Sequence, residues 1–297
     1  MGGIIINMVK NVCNLIRLNQ WIKSVFVYAP LFFNGNFYNV DLLLRVTAVW
    51  FCFSLMSSSI YCLNDLCDIE ADRLHPEKCN RPVASGVISK GVAWLVFIGC
   101  WVASVVITYI GLNNLEILCI LLIYMVFNVL YCIKLKHVAI LDVVTVSFGF
   151  VLRVVAGGLV VDIALSHWIL LITFLLALLL SFSKRGEDIA FYEEGYETRK
   201  VVKNYSKEYI NNVIAVLSAV IIVAYIMYTV SDEVIVRFDS EYVYVTAIFV
   251  IIGLLRYLQL TIVKQNVGCP TRVLLKDNFI GLCVLAWILC FCWIIYW

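Results

Sequence analysis

Residues 63–82 read LNDLCDIEADRLHPEKCNRP, a charged passage in a chain that is otherwise overwhelmingly apolar. Asn64, Asp68 and Asp72 recur at helical spacing, so on a helix they stack along one face. Three stacked oxygen ligands followed by His75, Lys78 and Arg81 suit a magnesium-bound polyphosphate. Hard cations take oxygen ligands, while Lys and Arg hold phosphate charge.

Outward from this passage, 63% of the 297 residues are hydrophobic and only 14% are charged, with a mean hydropathy of +0.97. A typical soluble domain carries roughly 25% charged residues. The expected class is therefore all-α, a polytopic membrane helix bundle forming one domain over residues 1–297. Lys10 and Arg17 interrupt the opening apolar segment, and no small-residue cleavage site follows. The first helix is thus expected to stay in the mature protein. The net charge of +2 says little about partners by itself, and no nucleic-acid partner is expected.

Apolar runs of about 17 to 25 residues are candidate spans. Nine are expected, near 24–40, 43–63, 91–112, 115–133, 139–161, 164–183, 210–230, 242–263 and 278–297. Pro30 and Asn34 make the first the weakest. If the N-terminus is cytoplasmic, the outer segments carry only Arg45 and Arg237, and Arg153 and Arg256 fall inside spans. Every other Lys and Arg, including Arg199, Lys264, Arg272 and Lys276, is then on the inside, as the positive-inside rule requires. That asymmetry places two charged loops, near 64–90 and 184–209, in the cytoplasm. The second opens with Lys184, Arg185, Glu187 and Asp188, a second mixed site of cations and carboxylates. The bland reading of Lys184 and Arg185 is that they anchor a helix end at the interface.

Ionisable groups inside spans carry a functional hypothesis by default. Arg153 lies deep in the fifth span, and Asp142 lies eleven residues earlier, three helical turns, so the two can share a face. A buried ion pair that only fixes packing is the competing reading. The twelve cysteines lie mostly in apolar spans and read as packing residues. The histidines have no zinc-ligand spacing, and Gly157-Gly158 reads as a close-packing pair. Carboxylates and cations at the inner mouth of a bundle suit a reaction joining a soluble phosphorylated donor to a lipid.

The Asn64-Asp65-x-x-Asp68-x-x-x-Asp72 pattern, with Arg81-Pro82 downstream and nine spans, resembles the UbiA superfamily of intramembrane prenyltransferases. Within it the chain is most similar to a phosphoribosyl-transferring branch. The likeness runs through Gln20-Trp21-x-Lys23, NDLCDIEADRLHPEKCNRPVASG, Lys134-x-Lys136, LDVVTVSFGFVLRVVAGG, Lys184-Arg185, Arg199-Lys200 with Tyr205-Ser206, and Lys276-Asp277. The resemblance implies Mg2+-dependent transfer of 5-phosphoribosyl from phosphoribosyl pyrophosphate to a polyprenyl phosphate, for cell-envelope precursors at a bacterial cytoplasmic membrane. It further implies metal ligands Asn64, Asp68 and Asp72, with Asp65, Asp68 and Asp72 as the catalytic carboxylates. The substrate contacts implied are Lys23, Lys78, Arg81, Lys134, Lys136, Arg153, Lys184, Arg185 and Asp188. Two departures stand out. The aspartate pair that prenyl-transferring members carry in the later loop is replaced by a more cationic set, and Gly186 stands where an aromatic residue usually follows the Lys-Arg pair. The alternatives are a prenyltransferase acting on an aromatic acceptor and a transporter. A transporter would place its ionisable groups near the bilayer midplane.

Overall fold

The computed structural model describes residues 2–196, 200–263 and 277–296, with side chains described except at residues 2–7, 200 and 296. Arg199, Lys264, Arg272 and Lys276 lie outside the described residues. All regular structure among the described residues is helical. One compact unit contains α1 (Gly2–Ile16), α2 (Ala29–Phe33), α3 (Val40–Cys67), α4 (Ile69–Leu74), α5 (Lys90–Val106), α6 (Leu115–Ile133) and α7 (Leu141–Val160). A second contains α8 (His167–Glu193), α9 (Lys207–Thr229), α10 (Asp232–Phe238), α11 (Ala247–Leu258) and α12 (Asn278–Tyr296).

Among the described residues, eight helical stretches are long and apolar enough to cross a membrane. They are α3, α5 with its π-helical extension to Leu112, α6, α7, α8, α9, α11 with its flanking turns from Glu241 to Val263, and α12. The run expected at 24–40 is not one helix. It is divided between a 3-10 stretch, Leu18–Tyr28, the short α2, and a turn in which Gly35 takes a φ of +70°. Pro30 sits in the first turn of α2, where its missing N–H is no loss. Asn39 then opens α3 by accepting from the backbone N–H groups of Asp41 and Leu42.

Helix α3 is the axis of the first unit. Val46, Val49, Phe53, Met56 and Ile60 are buried, as is the run Ser57, Ser58 and Ser59, so burial is not confined to one face. A helix apolar all round belongs in an interior. Its serines let neighbours approach and tie them by hydrogen bonds. Ser104 of α5 donates to the Cys52 carbonyl at 2.9 Å, and Trp21 donates to Ser58 Oγ at 3.0 Å. The glycine pair on α7 has the packing role expected of it. A Cβ on Gly157 would sit 2.0 Å from the Val27 carbonyl oxygen, so only glycine lets the 3-10 stretch lie on α7. In the second unit, Trp287 donates to Tyr225 at 2.6 Å and Tyr225 meets Thr246 at 2.8 Å, which satisfies polar groups within an apolar bundle. Arg256 pairs with Asp277 at 2.8 Å.

Candidate active site

Helix α3 carries Asn64 and Asp65 in its last turn and ends at Asp68, where the backbone leaves helical geometry (φ −104°, ψ 13°). Helix α4 restarts at Ile69 and carries Asp72. The following turn brings Arg81 back over both helices. It is braced by Arg73 Nε donating to the Ala84 carbonyl at 3.1 Å and Ser85 Oγ donating to the Arg81 carbonyl at 2.8 Å. Val83 and Ile88 anchor it in an apolar cluster with Leu15, Cys62, Ile69 and Ala93. His75 is buried, and its Nδ1 accepts from the N–H groups of Glu77 and Lys78, which gives it a place in the turn.

The carboxylates divide into two faces. Asp65 and Asp72 share one guanidinium, with Arg81 Nη1 2.6 Å from Asp72 Oδ2 and 3.3 Å from Asp65 Oδ1. Asn64 and Asp68 look toward the end of α6, where Cys132 Sγ lies 3.8 Å from Asn64 Oδ1 and Lys136 Nζ lies 2.5 Å from Asp68 Oδ1. This differs from the single Asn64, Asp68 and Asp72 stack expected from spacing. At about 100° per residue, positions seven apart return within roughly 20°, whereas positions eight apart diverge by roughly 80°. Asp72 therefore falls in with Asp65.

Arg17 also reaches the cluster. It stands at the break between α1 and the 3-10 stretch, with a φ of +53°. Its Nη2 lies 2.5 Å from Asp65 Oδ1, and its guanidinium lies 4.8 Å from the centre of the Tyr61 ring. The sequence pattern gave Arg17 no place at the site. The available signal was a lone cation where an apolar run stops.

Asp65 is 2% exposed, Asp72 4% and Lys136 3%. Burial pushes the Asp72 carboxyl above the usual carboxylate range despite Arg81. Burial, reinforced by the like charge of Arg17, draws Arg81 down against the pull of Asp65 and Asp72. A divalent cation beside Asp72 would hold it ionised.

No three His, Cys, Asp or Glu side chains among the described residues converge on a common metal position. The chemistry of the set nonetheless fits a hard cation. Asn64, Asp65, Asp68 and Asp72 are all oxygen donors, and one positively charged nitrogen already sits between Asp65 and Asp72.

Of the other expected contacts in the first unit, Lys23 and Lys78 are half-buried and Lys134 is exposed. Arg153 lies deeper, bonded to Gly149, Ser57 and Tyr124 and not to Asp142. In the second unit, Lys184, Arg185 and Asp188 are not in a loop. Helix α8 continues through them to Glu193, and buried Arg185 pairs with buried Asp188 one turn on.

The UbiA prenyltransferase family model matches residues 25–273, which include parts of both units. The chain belongs to the UbiA prenyltransferase family. Its UbiA relatives include the decaprenyl-phosphate phosphoribosyltransferases of Mycolicibacterium smegmatis, 34% identical, and Mycobacterium tuberculosis strain H37Rv, 31% identical. The alignments cover 95% of this chain in both cases, and 91% and 93% of those proteins. Among solved structures, a UbiA homologue from Archaeoglobus fulgidus bound to GPP and Mg2+ superposes with a TM-score of 0.69 at 19% identity. The match covers 96% of this chain and 99% of that one. The UbiA fold, with its all-helical bundle of membrane spans, is thus shared nearly end to end.

Proposed function

We propose that this protein transfers 5-phosphoribosyl from phosphoribosyl pyrophosphate to a polyprenyl phosphate and releases pyrophosphate, using Mg2+. The observation that carries this is the near full-length likeness to enzymes named for that class of transfer, joined to a carboxylate cluster that already holds cations. Asn64, Asp65, Asp68 and Asp72 would hold the metal. When bound, Mg2+ neutralises the diphosphate and makes it a better leaving group.

The chain's own residues do the rest by changing partners. Arg81, Arg17 and Lys136 neutralise the carboxylates as the structure stands, and these three cations are free to move to diphosphate oxygens once the carboxylates face a metal. Lys78, Lys184 and Arg185 are the further cations assigned to donor phosphates, and Asp188 sets the position of Arg185. Lys23 and Lys134 are assigned to the entry of the anionic lipid. A lipid phosphate oxygen attacks the anomeric carbon with inversion, and the ribose–diphosphate bond breaks with its electron pair leaving on pyrophosphate. The attacking phosphate is already largely ionised near neutral pH, so no strong general base is needed.

Charge asymmetry supports a site facing the cytoplasm of a bacterial inner membrane, where a soluble donor is supplied and the product enters envelope precursor synthesis. The test is pyrophosphate release by purified protein with Mg2+ and phosphoribosyl pyrophosphate. Release that requires a polyprenyl phosphate is expected. Release only from a prenyl diphosphate with an aromatic acceptor would replace this reading with prenyl transfer.

A further inference from the structure

Arg153 is 4% exposed and lies inside α7, a segment of membrane-crossing length and hydropathy. A charge at that depth costs about 3 kcal/mol or more unless something offsets it. Its partners carry no charge. Nη1 donates to the Gly149 carbonyl at 2.7 Å, and Nη2 donates to Ser57 Oγ at 2.8 Å and Tyr124 Oη at 3.1 Å. Three rings surround the guanidinium, Tyr124 at 4.9 Å, Phe150 at 5.4 Å and Phe53 at 5.5 Å. Its Nε has no hydrogen-bond partner among the described residues. Hydroxyls and ring faces orient a guanidinium without neutralising it, so the positive charge is left for an anion.

Two contacts between α3 and α6 fix how far this group lies from the carboxylates. Ser57 meets Tyr124 at 3.1 Å, and Asn64 meets Cys132 at 3.8 Å. The two levels are seven residues apart on α3 and eight on α6, which at 1.5 Å per residue is about 10–12 Å. Arg153 thus stands about two turns into the bundle beneath the cluster assigned to the donor diphosphate. An anion that reaches this depth must be attached to something apolar.

We infer that Arg153, with the hydroxyls of Ser57 and Tyr124, is the receptor for the phosphate head group of the lipid acceptor. This rests on the phosphoribosyl reading above and adds where the acceptor phosphate docks and how it is selected. Both hydroxyls can turn their protons from each other to phosphate oxygens, and the guanidinium supplies the charge. A prenol of the same length brings no negative charge to offset the buried guanidinium and is rejected for that reason.

The experiment uses the purified protein, a short-chain polyprenyl phosphate and the matching prenol. Melting temperature is read without donor, and KM is read for each substrate. Wild type is stabilised by the lipid phosphate and not by the prenol. Ser57→Ala and Tyr124→Phe raise the acceptor KM at least several-fold with the donor KM within twofold, and Arg153→Gln loses the phosphate-specific stabilisation. If Arg153→Gln fails to fold, the two hydroxyl variants decide. Variants that melt lower yet keep the acceptor KM and the phosphate-specific shift would reduce the cluster to packing, and an equal rise in donor KM would make it a donor subsite. Either result, with wild-type transfer intact, overturns this inference alone. A wild type with neither transfer nor a phosphate-specific shift overturns the proposed function as well.

Discussion

Asp68 and Lys136 form a pair in which the lysine is buried and the carboxylate half-buried, so alanine at either position strands the other charge. Asparagine at Asp68 keeps an acceptor for Lys136 while removing the negative charge a metal needs. Asp68→Asn is expected to fold and to lower phosphoribosyl transfer about 100-fold or more, read as initial rate at saturating Mg2+. Near-normal turnover would remove Asp68 from the site. Arg17→Ala is expected to raise the donor KM, because it removes a cation from Asp65 that sequence spacing did not reveal. The carboxylates were legible from their helical spacing. Their cation partners were not, because Arg17, Arg81 and Lys136 reach them from other segments of the chain.

At the scale of elements, the contact between α7 and the Leu18–Tyr28 stretch is the tightest backbone approach described above. Gly157→Ala forces a methyl against the Val27 carbonyl and is expected to cost about 1–3 kcal/mol, seen as a lower melting temperature in detergent. An unchanged melting temperature would show that the stretch moves aside without loss. The join between α11 and α12 makes a pH-dependent prediction. The hydrogen bond from Arg256, and next the Ile280 N–H, hold the Asp277 carboxyl below its usual range. Its stabilisation is then present above the ordinary carboxylate range and is lost as pH falls through the lowered value. Asp277→Asn should lower the melting temperature at neutral pH, by an amount that shrinks as the medium is acidified below that range. Helix lengths were legible where apolar runs were long. The continuation of α8 through Lys184 to Asp188 was not, because those charged residues read as loop until the Arg185–Asp188 pair shows them one turn apart.

At the scale of the molecule, composition and charge asymmetry were enough to reach a polytopic helical bundle, and the family match bears that out. The first apolar run, the weakest for its proline and Asn34, is divided between a 3-10 stretch and a short helix. Sidedness is open to direct test. Right-side-out vesicles should protect a tag placed at exposed Gly86 and leave one at exposed Val236 accessible, and the reverse pattern would invert the proposed topology. The central claim is the transfer itself. Mass spectrometry of the lipid after incubation with Mg2+, phosphoribosyl pyrophosphate and a polyprenyl phosphate should show the acceptor heavier by one phosphoribosyl group. A lipid recovered unchanged, from protein that attaches a prenyl chain to an aromatic acceptor, would contradict it.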